Sequence, residues 1–175
     1  MSANFHVSRA CSASIGTKLP ENVTRHEEVD EAGVVHVVEQ SMSGKSWPNG
    51  TVVLSWTDVQ QAGQAEGYNV VIHEFAHQID MLNGEANGFP PLRQDMSRKQ
   101  WAAVFSKAYE NFCKRVDDWE DTVIDEYAAE NPAEFFAVIS EAFFETPLAV
   151  RREYPAVYAQ LVLFYRQDPA ARMLL

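Results

Sequence analysis

His73, Glu74 and His77 form an H-E-x-x-H pattern inside the stretch "VVIHEFAHQIDMLNG", Val70 to Gly84. Residues four apart on an α-helix lie on one face, one turn above each other. Two imidazoles so placed can bind one zinc ion, and a carboxylate beside the first can reach a water on that ion. The chemistry this allows is metal-assisted hydrolysis, with Glu74 as general base. The competing explanation is an amphipathic helix that carries two unrelated histidines. A third ligand elsewhere in the chain separates the two, because a catalytic zinc takes three protein ligands and keeps one position open.

The surrounding residues predict the elements that would position such a site. Asn69 caps the start of a helix, Val70, Val71, Phe75, Ala76 and Ile79 are apolar, and Gly84 stands where a left-handed residue ends it. Upstream, Pro48, Asn49 and Gly50 are turn residues, and "TVVLSW" (Thr51 to Trp56) reads as a strand of an antiparallel sheet. Such a strand is expected to edge the cleft and offer its backbone to an extended substrate. Val34 to Ser41 reads as another strand, with an earlier partner at Val23 to Glu28. His26 and His36 fall on these strands without a ligand partner at useful spacing, and His6 lies in a polar arm. All three are read as ordinary polar positions.

Downstream, "EANGFPPLRQDMS" cannot continue a helix, and either walls a pocket or simply connects. Ser97 to Gln100 has the form of a capping box and opens a helix from Arg98 to Arg115, with a stripe of Trp101, Val104, Phe105, Ala108, Tyr109 and Phe112. The acidic run Val116 to Asp125 reads as a solvated loop. Asn131 and Pro132 start a largely apolar helix that runs to about Glu145. It carries Glu134 and Glu141, seven apart and so nearly on one face. Either could be the third ligand. Without a metal, Glu134 would partner the Asn131 cap and Glu141 would face solvent. Pro155 opens a last helix whose Tyr158, Leu161, Val162 and Tyr165 form a packing stripe.

Composition sets the outer limits. The 175 residues suffice for one domain with a core, and 46% hydrophobic and 11% aromatic content are those of a folded globular chain. A net charge of −11 argues against direct nucleic-acid binding and against anionic membrane surfaces. No apolar run approaches the roughly 20 residues of a membrane span, and the first 20 residues lack a signal peptide's apolar core. Cys11 and Cys113 read as free thiols, which fits a cytoplasmic protein. The division expected is a loosely ordered arm over residues 1–20 and one catalytic domain over 21–175. The fold class is α+β: a small, mainly antiparallel sheet packed on the H-E-x-x-H helix, with further helices after it.

Three blocks, "WPNGTVVLSW", "GYNVVIHEFAHQIDMLNGEANGFPPL" and "YAAENPAEFFAVISEAFFETP", occur in this order. Together they resemble the Mlc titration factor A (MtfA) family of zinc peptidases over Val23 to Leu175. The resemblance implies a zincin-like domain of the gluzincin type, similar in its catalytic core to anthrax toxin lethal factor. It implies aminopeptidase-like activity on peptide substrates and zinc held by His73, His77 and Glu134, which selects Glu134 over Glu141. It also implies that Tyr127, seven residues before Glu134, reaches into the site as an oxyanion donor. The family is known for binding the glucose-responsive transcriptional repressor Mlc, so an Mlc-like repressor is an expected partner. Family members generally carry a helical segment ahead of the part matched here, where this chain has only the arm. In thermolysin-like enzymes an Asp four residues after the ligand Glu orients the first His. Here that position is Val138, and Asp80 or Glu141 is expected to take the role.

Overall fold

The computed structural model describes residues 5–8, 23–29, 34–41, 44–47, 50–63 and 67–173, with the backbone alone at 5–8, 23–29 and 35–41. Among the described residues five strands come first: β1 (Phe5–Ser8), β2 (Val23–Val29), β3 (Val35–Ser41), β4 (Gly44–Ser46) and β5 (Val52–Ser55). Seven α-helices follow among the described residues: α1 (Trp56–Gln61), α2 (Val70–Asp80), α3 (Arg98–Asp117), α4 (Pro132–Glu145), α5 (Pro147–Glu153), α6 (Pro155–Tyr165) and α7 (Pro169–Arg172). Among the described residues no helix is long and apolar enough to cross a membrane.

The strands form two sheets. β2 and β3 pair antiparallel, with His26 opposite Val38 and Glu28 opposite His36. The other sheet runs β1-β5-β4, with β5 parallel to β1 and antiparallel to β4. Phe5–Ser8 thus forms a strand within the stretch read as an arm; the remainder of residues 1–20, including Cys11, lies outside the described residues. The side chains of His6, His26 and His36 also lie outside them.

The strand expected to edge the cleft is corrected here. β5 is central, so β1 and β4 occupy both its edges and its backbone cannot receive a third strand. The edge belongs to β4, and just beyond it Gly50 N–H donates to Trp47 O at 3.0 Å. Trp56 does not extend β5. It begins α1, where the Ser55 hydroxyl accepts from Asp58 N–H.

α4 is the buried centre of the helical half. Ala133 and every residue from Phe135 to Phe143 are buried, and α2, α3, α5 and α6 all pack on it. Trp101 and Phe105 of α3 stack at 4.1 Å between ring centroids, and Phe136 meets both edge-on. Each fully buried ring contributes about 2–3 kcal/mol by leaving water. α3 runs one half-turn beyond the Arg115 expected for it. Its Ser97 cap accepts from Gln100 N–H at 3.2 Å.

The end of α2 also differs from expectation. A 3₁₀ turn, Met81–Asn83, follows it, and Gly84 has φ 146° and ψ −143° rather than the left-handed helical pair. That conformation is open to glycine and carries the chain away from the helix axis. The next loop is clamped. Asp80 Oδ2 accepts from Asn87 N–H at 2.7 Å and from Gly88 N–H at 2.6 Å, and the Trp101 indole N–H donates to Gly88 O at 3.2 Å. Ala86 and Asn87 consequently wall the cleft above α2.

Candidate metal centre

α2 and α4 lie against each other and aim at one point from two sides. Asn69 caps α2 by accepting from Ile72 N–H, and Asn131 caps α4 by accepting from Ala133 and Glu134 N–H at 2.9 and 3.0 Å. These caps fix the first turns from which His73 and Glu134 project. His77 follows one turn along α2.

The three side chains put their ligand atoms in a nearly equilateral triangle. His73 Nε2 lies 3.1 Å from His77 Nε2 and 3.1 Å from Glu134 Oε2, and His77 Nε2 lies 3.2 Å from Glu134 Oε2. Tetrahedral zinc, with bonds of about 2.0–2.2 Å, sets neighbouring ligand atoms about 3.3 Å apart. Among the described residues this is the one cluster of three His, Cys, Asp or Glu side chains so arranged.

The donor set also fits. Glu141 Oε1 lies 2.7 Å from His73 Nδ1 and accepts its proton, so Nε2 is the ring nitrogen turned inward toward His77 and Glu134. Lone pairs of His73, His77 and Glu134 aimed at one point repel one another unless a cation or proton lies among them. The electrostatics record that demand. Burial would lower the pKa of His73, but hydrogen bonds to Glu134 and Glu141 outweigh it and push it up to about 10. Burial would raise Glu134, but hydrogen bonds from His73 and His77 pull it down to about 2.

Glu141 is therefore not the solvent-facing residue of the sequence-based alternative. It is 2% exposed, and its second oxygen accepts from Asn69 N–H at 2.5 Å. It stands two turns beyond Glu134 on α4 and fills the place left by Val138. Asp80, the other expected partner for a ligand histidine, is turned to the Asn87–Gly88 backbone instead. Its Oδ1 is buried without a hydrogen bond.

Glu74 is buried at 6% exposure and lines the same cleft, whose volume is about 540 Å³. Burial pushes its carboxyl above the usual range, against a hydrogen bond from Ser46 and the pull of both imidazoles. Tyr127 lines the same cleft, in a 3₁₀ turn (Glu126–Ala129) capped by Asp125, whose Oδ1 accepts from Tyr127 N–H at 2.8 Å. Its ring centre is 6.2 Å from that of His73, and it is half exposed. Burial, with the carboxylates of Glu134 and Glu130, pushes the phenol up to about 12, so it remains a proton-bearing donor at neutral pH. His73, Glu74, His77, Glu134 and Tyr127 thus all face one cleft. Sequence reasoning missed the part of the cleft lined by Gly44, Lys45 and Ser46. Its one signal was the run of turn residues Pro48, Asn49 and Gly50: a hairpin turn needs a strand on both sides.

The family described as glucose-regulated metallo-peptidase M90 matches residues 19–166. Mlc titration factor A of Yersinia pestis (strain Pestoides F) and of Yersinia pseudotuberculosis serotype O:1b (strain IP 31758) are each 43% identical over 148 residues. The match covers 82% of this chain and 54% of each relative, so the chain spans about half the length of the curated relatives it matches. A match over most of the chain, centred on a His-His-Glu cluster with a carboxylate beside it, settles the family. The chain belongs to the glucose-regulated metallo-peptidase M90 family.

Proposed function

We propose that this chain is a zinc-dependent peptidase domain of the gluzincin type, hydrolysing peptides in an aminopeptidase-like manner. One observation carries the reading: the triangle of His73, His77 and Glu134 opens on the same cleft as the buried carboxylate of Glu74. A structural zinc site would give Glu74 no task there.

His73, His77 and Glu134 would hold the ion, and Glu141 keeps His73 in the right tautomer and orientation. Zinc bound there supplies Lewis acidity, polarising the scissile carbonyl and acidifying the attacking water. Glu74 takes the water's proton and passes it to the leaving amine; its raised pKa brings proton uptake and release closer together at neutral pH. Tyr127, protonated, donates to the oxyanion that develops on the carbonyl oxygen.

Glu74→Gln keeps the shape of the side chain and removes the base. The expected result is unchanged zinc content and folding with turnover about a thousandfold lower on aminoacyl chromogenic substrates. A chelator should abolish wild-type turnover. Normal cleavage by the Glu74→Gln protein sinks this mechanism.

A second reading is favoured by the names of the relatives, which describe titration of Mlc. On this reading the chain binds an Mlc-like transcriptional repressor in the cytoplasm and cleaves little or nothing. Pull-down of such a repressor that is indifferent to chelator, together with inertness on the whole substrate panel, would favour it.

A further inference from the structure

Beyond the ligand triangle, the cleft contains a short strand, β4, two of whose residues, Gly44 and Ser46, bear on Glu74. Successive side chains of a strand point to opposite faces, so Gly44 and Ser46 of β4 share one face and Lys45 takes the other. Both shared-face residues meet the same carboxylate. Ser46 Oγ lies 2.6 Å from Glu74 Oε2 and 2.9 Å from the Glu74 carbonyl oxygen, and its single proton serves one of them at a time. At Gly44 a Cβ would sit 2.5 Å from Glu74 Oε1, 2.6 Å from Cγ and 2.7 Å from Cδ, closer than real side chains pack.

A simpler role for Ser46 is to tether β4 to α2. That tether already exists without the hydroxyl. Gln78 Nε2, one turn further along α2, donates to Trp47 O at 3.0 Å, and β4 is zipped to β5 through Gly44–Leu54, Lys45–Val53 and Ser46–Val52. The hydroxyl bond to Oε2 is additional to this framework, and the missing side chain at Gly44 has no part in it.

We propose that β4 positions the general base: Ser46 donates to Glu74 Oε2, and Gly44 leaves the space in which that carboxylate sits beside the metal ligands. Ser46 is a positioning residue, acting through Glu74. This rests on the peptidase reading given above.

The experiment uses Ser46→Ala, Ser46→Thr and Gly44→Ala in the zinc-loaded chain. Zinc stoichiometry, kcat and KM are measured, and crystal structures locate the Glu74 side chain. Ser46→Ala should keep zinc and KM within about twofold, lower kcat about tenfold, and move the Glu74 carboxylate to another rotamer. Ser46→Thr, which restores a hydroxyl, should recover most of the rate and the original rotamer. Gly44→Ala should also displace Glu74, because the end of a flexible side chain yields before the strand backbone does. A Glu74 carboxylate that stays in place in both Ser46→Ala and Gly44→Ala overturns the proposal, as does a Ser46→Ala defect confined to KM. If the wild-type protein cleaves no peptide, the peptidase reading fails by itself, and the Glu74 rotamer still decides whether β4 positions it.

Discussion

His73 is gripped by a carboxylate on each side, Glu134 at Nε2 and Glu141 at Nδ1. In the metal-free protein this makes it a proton trap, and the sign of the pH dependence follows. His73 moves from 6.5 to about 10 on folding, so its stabilising share is complete below pH 6.5 and lost as pH rises through about 10. Glu134 moves from 4.5 to about 2, so its share is present above pH 4.5 and lost as pH falls through about 2. Thermal unfolding of the metal-free protein should therefore peak between about pH 4.5 and 6.5 and decline toward alkaline pH. Zinc must displace the His73 proton, so its apparent affinity should rise about tenfold per pH unit up to pH 9. A flat affinity across that range would show that His73 is already neutral.

Glu141→Ala removes the acceptor of both His73 Nδ1–H and Asn69 N–H. Zinc affinity should fall by about 10- to 100-fold, read by competition with a chromophoric chelator, while Glu141→Gln retains part of it. Unchanged affinity in the alanine variant would reduce Glu141 to a packing group. At this scale H-E-x-x-H was legible because it is local to one helix, and Asn131–Pro132 announced the helix that carries both Glu134 and Glu141. The choice of Glu134 came from the family resemblance and not from any local signal. The fate of Glu141 was not legible. Two carboxylates seven apart on α4 share a face, and only the packing of α2 decides which meets Nε2 and which meets Nδ1.

α4 does two jobs with one cap. Asn131 Oδ1 accepts from both Ala133 and Glu134 N–H, so it fixes the turn from which Glu134 reaches the cluster. Asn131→Ala should cost about 1 kcal/mol of stability in denaturant unfolding, and it should weaken zinc binding as that turn frays. A loss of stability without loss of zinc would mean that packing alone holds Glu134 in place. Helices were the readable elements because their signals are contiguous: Ser97, Asn69 and Asn131 all cap where their residue types predict. β4 was invisible for the opposite reason. Gly44, Lys45 and Ser46 have no strand propensity and no apolar alternation; they are a strand because β5 pairs with one edge and α2 receives one face. The same omission misplaced the cleft edge onto β5, which is the central strand of its sheet.

In the molecule as a whole, the wall of the cleft is fastened to the aromatic core. The α3 stripe foretold that core, but not the clamp, since nothing local to Asp80 reveals that it will be buried against the backbone of Asn87 and Gly88. Through Gly88 O that clamp ends on the indole of Trp101, which is fully buried, whereas Trp56 is 47% exposed and Trp119 92%. The protein thus carries its own optical gauge. Trp101 should emit at the shortest wavelength and resist acrylamide most, the half-buried Trp47 should be partly shielded, and Trp56 and Trp119 should be quenched. Trp101→Phe should erase the most resistant component, and survival of that component would assign it to another tryptophan. Because that indole is hydrogen-bonded to the loop bordering the cleft, a peptide or inhibitor that shifts the wall should change the quench-resistant emission, giving a label-free binding signal independent of turnover.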